Sequence, residues 1–152
     1  MKRSIAWRWC AFSELTLSEM HGMFALRSEV FVLEQACAYQ DIDGADPVAF
    51  HLIGLDGEEV VATLRVFGPS VHDTPYATIG RVVVSKRLRQ AGLGYTLMEK
   101  GMGETYRTFG LVPIKISAQS YLKEFYSRLG FVVCGDGYLE DGIPHLPMIR
   151  SV

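Results

Sequence analysis

The sequence predicts an α/β domain built on a mixed, mostly antiparallel sheet with helices on both faces. Three observations support this fold class. Apolar runs of strand length alternate with stretches of helical periodicity along the chain. Two strand-like runs, 50–55 and 60–68, are separated by the turn sequence DGEE, which indicates a hairpin. A strand, a helix and another strand follow one another over residues 78–118, and this order implies one parallel pair with a right-handed crossover.

The first third of the chain predicts a strand, a helix and a long loop. Residues 5–9 alternate in polarity, which is typical of a half-buried strand. Thr16 and Glu19 have the spacing of a capping box, which marks the start of a helix. Gly22 interrupts that helix and predicts a bend or a break. Residues 33–49 predict a loop because they contain several Asp, a Gly and a Pro.

The rest of the chain predicts two further helices among four strands. The longer helix opens at the sequence GLG, has an apolar stripe at helical spacing and ends at Gly110. A short helix covers the sequence SYLKEFYSRLGF and ends at Gly130. The remaining strands are predicted at residues 78–85, 112–118, 131–135 and 145–151.

The composition is typical of an ordinary globular enzyme. The 152 residues are 49% apolar and 21% charged with a net charge of −2, and we expect one domain over residues 1–152. A nucleic-acid-binding protein usually has a strong basic excess, so we expect no nucleic-acid partner. No apolar run reaches the ~18 residues of a membrane span, and we see no signal-peptide core. We therefore expect a cytoplasmic protein that has no membrane partner.

No pattern in the sequence predicts a metal site. The three cysteines, Cys10, Cys37 and Cys134, form no CxxC pair, which argues against a disulfide framework and against structural zinc. The sequence DIDGAD at residues 41–46 has the look of a calcium loop. Its glycine stands at the wrong position, and Leu52 occupies the place of the required glutamate. We expect an ordered loop with Asx turns instead.

The sequence RQAGLG at residues 89–94 lies where a valine-rich strand passes into a helix. The first N–H groups of a helix lack intrahelical partners and, together with the macrodipole, favour a phosphate. Glycines let the backbone approach an anion closely, and Lys86 and Arg87 add positive charge nearby. The patterns GxxxxGK[ST] and GxGxxG are both absent. The stretch is therefore either a pyrophosphate site of another kind or an ordinary tight turn.

The string R-x-x-G-x-G in this setting resembles motif A of the GNAT acyltransferase superfamily. The sequence QSYLKEFYSRLGF is similar to the family's second signature, N-x-x-A-x-x-[LF]-Y-x-x-x-G-F. Gln119 stands in its Asn position, Leu122 in its Ala position and Tyr126 in its Tyr position. The strings LRSEVFVLEQACAYQDIDGAD, HLIGL, IGRVVVS and EDGIPHLPM further resemble the ElaA-like branch of predicted N-acetyltransferases. The resemblance covers essentially the whole chain.

This resemblance implies a fold in which the parallel strands splay apart and acetyl-CoA enters the gap. It implies that backbone N–H groups of residues 89–94 hold the pyrophosphate and that the pantetheine arm pairs with residues 82–84. Tyr126 is implied as the general acid that protonates the departing thiolate. The implied cofactor-binding residues are Val82, Val83, Val84, Arg89, Gln90, Ala91, Gly92, Leu93, Gly94, Gln119 and Tyr126.

The general base has several candidates, because the strand over residues 78–85 contains no carboxylate. We include Glu34 and His145 with Tyr126 as the candidate catalytic residues. His51 is either a base or a core histidine, with a slight preference for the core. Glu140 and Asp141 are either part of an acceptor site or solvated turn residues.

Two arginines also have alternative interpretations. Arg27, with Glu34 and Gln35, either helps to line an acceptor pocket or forms an arginine–glutamate pair that braces a loop. Arg81, inside an apolar strand, is either a buried partner for an acid in a loop or a surface residue at the cleft.

The resulting functional hypothesis is an acetyl-CoA-dependent N-acetyltransferase whose partner is a small-molecule or peptide amine, with no metal. A non-catalytic CoA-binding regulatory module on the same fold is the alternative, since fold alone does not imply activity. A general nucleotide-phosphate binder is a second alternative. Exposed terminal strands are also compatible with a homodimer.

Overall fold

The computed structural model describes residues 4–152, which form an eight-stranded sheet with three α-helices. The strands are β1 (Ala6–Ala11), β2 (Phe50–Asp56), β3 (Glu59–Phe67), β4 (Ala77–Val84), β5 (Ile114–Gln119), β6 (Val132–Val133), β7 (Tyr138–Glu140) and β8 (Ile143–Arg150). The α-helices are α1 (Leu17–Arg27), α2 (Leu93–Phe109) and α3 (Lys123–Ser127). No helix within residues 4–152 is long and apolar enough to cross a membrane.

The strand order is β1-β2-β3-β4-β5-β8-β6, and β7 pairs with β8. Of the described pairings, β4 with β5 is parallel and the others are antiparallel. This arrangement confirms the mixed sheet with one parallel pair that the sequence predicts. The strand β7 lies in the stretch between the last two predicted strands, which the sequence predicted as a polar turn.

The two longer helices cover opposite faces of the sheet. Adjacent residues of β2 show this, because Leu52 belongs to the core under α2 and Ile53 to the core under α1. The α2 core continues through α3 to Phe131. Helices are therefore present on both faces, as the sequence predicts.

Helix α1 begins as predicted but does not bend where predicted. Thr16 is its N-cap, accepting a hydrogen bond from the backbone N–H of Glu19, whose side chain closes the capping box. The predicted break at Gly22 is wrong, since α1 runs through this residue. A Cβ built on Gly22 would lie 2.8 Å from Cγ2 of Val60 in β3, so the glycine allows a close approach to the sheet. The helix widens into a π-helical segment only at Ser28–Glu34.

The parallel strands separate soon after they meet. Their pairing is confined to Ala77 with Ile114 and Thr78 with Lys115. Further along β4, the strand advances from Gly80 to Val83 while β3 advances only two residues, which is a β-bulge. A gap therefore opens between the second half of β4 and the second half of β5.

Candidate functional site

The gap between β4 and β5 is a cleft of about 730 Å³. It is bordered by both strands, by α3, by the π-helical segment and by the turn between β7 and β8. The residues predicted from the sequence that line the cleft are Glu34, Val82, Val83, Val84, Arg89, Gly94, Gln119, Tyr126 and His145. The fold thus brings together residues that are more than 100 positions apart in the chain.

The other predicted cofactor residues lie beside the cleft, in the segment that leads into α2. Residues 86–91 form a 3₁₀ turn, and Gly92 then takes a left-handed conformation with φ of 73° as the N-cap of α2. Gln90, Ala91 and Gly92 are exposed, whereas the Leu93 side chain is buried in the core. At Leu93, a ligand could therefore contact the backbone but not the side chain. No side chain caps α2, so its first N–H groups are open to an anion.

Arg89 connects this segment to the opposite side of the cleft. Its Nε donates to the backbone oxygen of Val84 at 3.2 Å, and its Nη2 donates to Glu34 Oε1 at 2.9 Å. Its Nη1 forms a second contact with the other carboxylate oxygen. The Arg89 hydrogen bonds lower the pKa of Glu34, which makes this carboxylate a weaker proton acceptor.

Tyr126 lies on α3. Its ring packs in the core, and the residue also lines the cleft. The ring makes edge contacts with Phe125 at 5.0 Å and with Phe131 at 6.0 Å between centroids. Burial raises the pKa of the Tyr126 phenol well above its usual value. The hydroxyl therefore carries its proton across the physiological pH range, although burial makes it a weaker acid than a free phenol.

His145 is buried at the side of the cleft that Glu140 and Asp141 line, and both of its ring nitrogens face oxygen acceptors. Nδ1 lies 2.7 Å from the backbone oxygen of Ile143, and Nε2 lies 3.1 Å from Glu140 Oε2. The ring stacks on Tyr138 at 6.1 Å. The Glu140 carboxylate therefore occupies the position next to Nε2 from which a substrate group would approach this nitrogen.

The remaining sequence candidates divide between the cleft and the core. Gln119 at the end of β5 donates to Gln35 at 3.3 Å and ties the strand to the segment after α1. Asp141 and Glu140 both line the cleft. His51 is fully buried away from the cleft, with Nε2 3.0 Å from the backbone oxygen of Asp46. Burial lowers the pKa of His51, as expected for a core histidine.

The acidic loop forms a network with arginines. Arg27 braces this loop, because its Nε pairs with Asp41 at 2.8 Å and its Nη1 with Asp46 at 2.7 Å. The predicted glutamate partner is therefore wrong, since both partners are aspartates. Arg65 pairs with Asp43 at 2.8 Å and with Asp46 at 3.2 Å. Hydrogen bonding to Arg65 lowers the pKa of Asp43 strongly. The sequence indicated that such a network is needed, because arginines within apolar helices and strands need buried acidic partners.

Sequence reasoning missed several residues that line the cleft. Tyr39 lines the cleft beneath the Arg81 guanidinium, where burial raises the pKa of Tyr39 to about 12. Cys37 donates from Sγ to the backbone oxygen of Asp141 at 3.3 Å. Neither residue belongs to a recognisable motif, so only the folded loop reveals them. Within residues 4–152, no group of His, Cys, Asp and Glu side chains is arranged to hold a metal ion.

The fold, with its single parallel strand pair and the cleft between these strands, is that of the GNAT family. Residues 21–152 match the family model of the acetyltransferase (GNAT) domain. This match spans most of the chain, and the chain therefore belongs to the GNAT acetyltransferase family.

Individual relatives narrow the resemblance further. Protein ElaA of Escherichia coli strain K12 is 39% identical over 150 residues, which are 97% of this chain and 97% of that protein. The crystal structure of E. coli ElaA has a TM-score of 0.91 at 38% identity, covering 97% of this chain and 100% of that chain. The crystal structure of an acyl-CoA N-acyltransferase from Pseudomonas aeruginosa has a TM-score of 0.93 at 41% identity, with the same coverage. The resemblance to the ElaA-like branch is thereby confirmed.

Proposed function

We propose that this protein is an acetyl-CoA-dependent N-acetyltransferase that acts on a primary amine of a small molecule or a peptide. The cleft between the diverging strands supports this proposal best. It has the open N-terminus of α2 beside it, unpaired strand edges along it and the protonated Tyr126 within it. These features match, in order, a pyrophosphate, an extended amide-containing arm and a thiolate leaving group.

The chain's own residues have distinct roles in this proposal. Acetyl-CoA, when bound, supplies the activated acetyl group. Backbone N–H groups at residues 89–94 bind its phosphates, assisted by the Arg89 guanidinium. Peptide groups of Val82 and Val83 orient the acyl end, and each donor aimed at a developing oxyanion is typically worth ~2.7–4 kcal/mol. Tyr126 donates the proton to the leaving sulfur.

Acceptance of the amine proton is proposed for His145 in its neutral form. Its position at the acceptor side, next to Glu140 and Asp141, supports this role. Carboxylates at this end also favour a cationic amine. Glu34 was an equal candidate from the sequence, but its ion pair with Arg89 and its lowered pKa favour the role of a partner of Arg89 over that of the base.

Ligand-induced thermal stabilisation tests the binding half of this proposal. At 100 times Kd, a ligand adds about 2.7 kcal/mol, which corresponds to a Tm increase of roughly 5–10 °C for a domain of this size. Acetyl-CoA and CoA should produce this shift, whereas ATP and NAD at equal concentration should not. Gly92→Glu should abolish it. Gly110→Glu is the matched control, because Gly110 also has positive φ but lies at the other end of α2. A shift with every nucleotide would instead indicate a general nucleotide binder.

Replacement of Tyr126 tests the catalytic half. Tyr126→Phe removes the proton donor, so we expect kcat to fall about 100-fold, at the low end for general acid catalysis. The affinity for CoA should stay within twofold. Release of free thiol from acetyl-CoA can be followed with cadaverine, glycinamide and a lysine-containing tetrapeptide as acceptors. CoA binding without transfer to any amine would favour the regulatory module instead.

A further inference from the structure

Arg81 has a backbone conformation that strand residues rarely adopt. It lies within β4 with φ of 49°, in the left-handed region that favours glycine. The β-bulge of β4 occurs at the same place, between Gly80 and Val83. A non-glycine residue remains in this conformation only where surrounding contacts hold it.

The contacts that hold Arg81 come from one loop, residues 37–46. Its Nε lies 2.8 Å from Asp41 Oδ1, and its Nη2 lies 3.3 Å from Asp43 Oδ2. Nη2 also donates to the backbone oxygen of Asp41 at 3.1 Å. The guanidinium lies over the Tyr39 ring, 5.6 Å from its centroid. The side chain is therefore held by two carboxylates, a carbonyl and an aromatic face.

The same loop is anchored independently of Arg81. Asp41 and Asp46 pair with Arg27 of α1, and Asp43 pairs with Arg65 of β3. Asp41, Asp46 and both arginines are buried, so removing any one partner would leave an uncompensated buried charge. The loop consequently presents Asp41 and Asp43 to Arg81 at a fixed position.

The strained residue lies within the part of β4 that lines the cleft, directly before Val82. Pairing with β5 is described only as far as Thr78, so the edge of Val82–Val84 that faces β5 is open. The backbone conformation of Arg81 sets the direction in which the following peptide groups of Val82 and Val83 point. A change at Arg81 would rotate these groups and would also alter a side chain that lines the cleft, so the two effects have to be separated by experiment.

We propose that loop 37–46 positions the acyl end of the cleft: Asp41 and Asp43 hold Arg81 in its left-handed conformation and thereby aim the peptide groups of Val82 and Val83 at the bound acyl group. This proposal rests on the proposed function, because acyl-CoA is the ligand that would use those groups. Arg81 acts through the backbone and is a positioning residue.

The test compares two substitutions at the same position. Arg81→Ala removes the ion pairs and leaves a residue that disfavours positive φ. Arg81→Gly removes the same ion pairs but adopts positive φ freely. We expect Arg81→Ala to bind acetyl-CoA about tenfold more weakly, the loss of one or two backbone hydrogen bonds. Arg81→Gly should restore most of this affinity, measured by calorimetry.

A second ligand separates positioning from general damage to the fold. Adenosine 3′-phosphate 5′-diphosphate, the nucleotide end of CoA, should depend on residues 89–94 and not on the acyl end. Its Kd should be the same in wild type, Arg81→Ala and Arg81→Gly. Arg107→Ala, which removes an exposed ion pair on α2, is the control and should change neither Kd.

Asp43 provides an independent check through a double-mutant cycle. Asp43→Asn should weaken acetyl-CoA binding in the wild-type background and have no further effect on it in the Arg81→Gly background. It should lower the free energy of unfolding in both, because the pair with Arg65 is lost in either case.

Other results would overturn either the positioning role of Arg81 or the proposed function. Equal weakening by Arg81→Ala and Arg81→Gly would mean that the guanidinium itself binds the ligand, and the positioning proposal would be wrong. Wild-type affinity in Arg81→Ala would also overturn it. Failure of the wild-type protein to bind acetyl-CoA, with the nucleotide fragment also unbound, would instead remove the proposed function and this inference with it.

Discussion

Glu34 and Arg89 form an ion pair that crosses the cleft beside the segment leading into α2. Arg89 belongs to the segment before α2, and Glu34 ends the π-helical segment after α1. A bound pyrophosphate would compete with the Glu34 carboxylate for the same guanidinium. The two possible roles of Glu34, general base or partner of Arg89, therefore predict different results on substitution.

Glu34→Gln should strengthen CoA binding about two- to fivefold, since an exposed ion pair that must be broken is worth ~0.2–1 kcal/mol. Calorimetric titration with CoA measures this change. Glu104→Gln, which breaks the exposed pair with Arg107 on α2, should leave the Kd unchanged. A large loss of transfer rate with an unchanged Kd would instead show that Glu34 is the base.

Residues that belong to short sequence strings could be predicted from the sequence, whereas partners that lie far apart in the chain could not. Gly92 belongs to a short string whose chemistry follows from a strand–helix junction, whereas the role expected of Tyr126 comes from the family resemblance of its string. The partners of Arg27 and Arg81 in the acidic loop are 14 and 40 positions away. No spacing rule links such positions, so the sequence could show only that these arginines needed acids, and not which acids they contact.

At the scale of elements, helix α2 shows how glycines with the same local propensity have opposite roles. A Cβ built on Gly101 would lie 2.6 Å from Cδ2 of Leu64, a buried residue of β3. A Cβ built on Gly103 would meet nothing within 4 Å. The first glycine sets the distance between helix and sheet, and the second only lowers helix stability.

Gly103→Ala should stabilise the protein by about 0.5–1 kcal/mol, because alanine loses less backbone entropy in a helix interior. Gly101→Ala should destabilise it by roughly 1–3 kcal/mol through overpacking against Leu64. Urea unfolding of the two variants and the wild type measures both effects. Stabilisation by both substitutions would mean that α2 can move away from the sheet at little cost.

Gly22 illustrates the same limit on prediction from the sequence. Helix propensity alone made a break there reasonable, but the close contact between α1 and Val60 keeps the helix continuous. The other long elements were predictable, because apolar periodicity, the capping box and the terminal Gly110 all act locally. The strand β6 lies within the run predicted at residues 131–135, whereas β7 was not predicted, since its pairing with β8 rather than its own sequence defines it.

At the scale of the whole molecule, the charged groups in the core make stability depend on pH. Burial lowers the pKa of His51 from its ordinary 6.5, so the unfolded chain takes up a proton at this residue first as the pH falls. The arginine network lowers the pKa of Asp43 and Asp46 from 3.8, which gives stability that is present above this value.

The free energy of unfolding should therefore fall in two stages on acidification. A first, small decrease should begin below about pH 6.5 from His51, and a steeper one below about pH 4 from Asp43 and Asp46. Urea unfolding at pH 7.5, 5.5 and 3.5 tests this, and Asp43→Asn should reduce the second stage. A free energy of unfolding that increases when the pH is lowered from 7.5 to 5.5 would contradict the first stage.

The position of β8 in the sheet has a consequence for how the protein is made. β8 fills the place between β5 on one side and β6 and β7 on the other, and its Met148 is completely buried. During synthesis, β5 emerges from the ribosome before β8, so the edge of β5 that later pairs with β8 is unpaired until β8 has been made. Such edges recruit strands from other nascent chains. Slow translation between residues 119 and 143 would lengthen that exposure, so polysome crowding is a greater hazard to this protein than to one whose sheet closes in chain order.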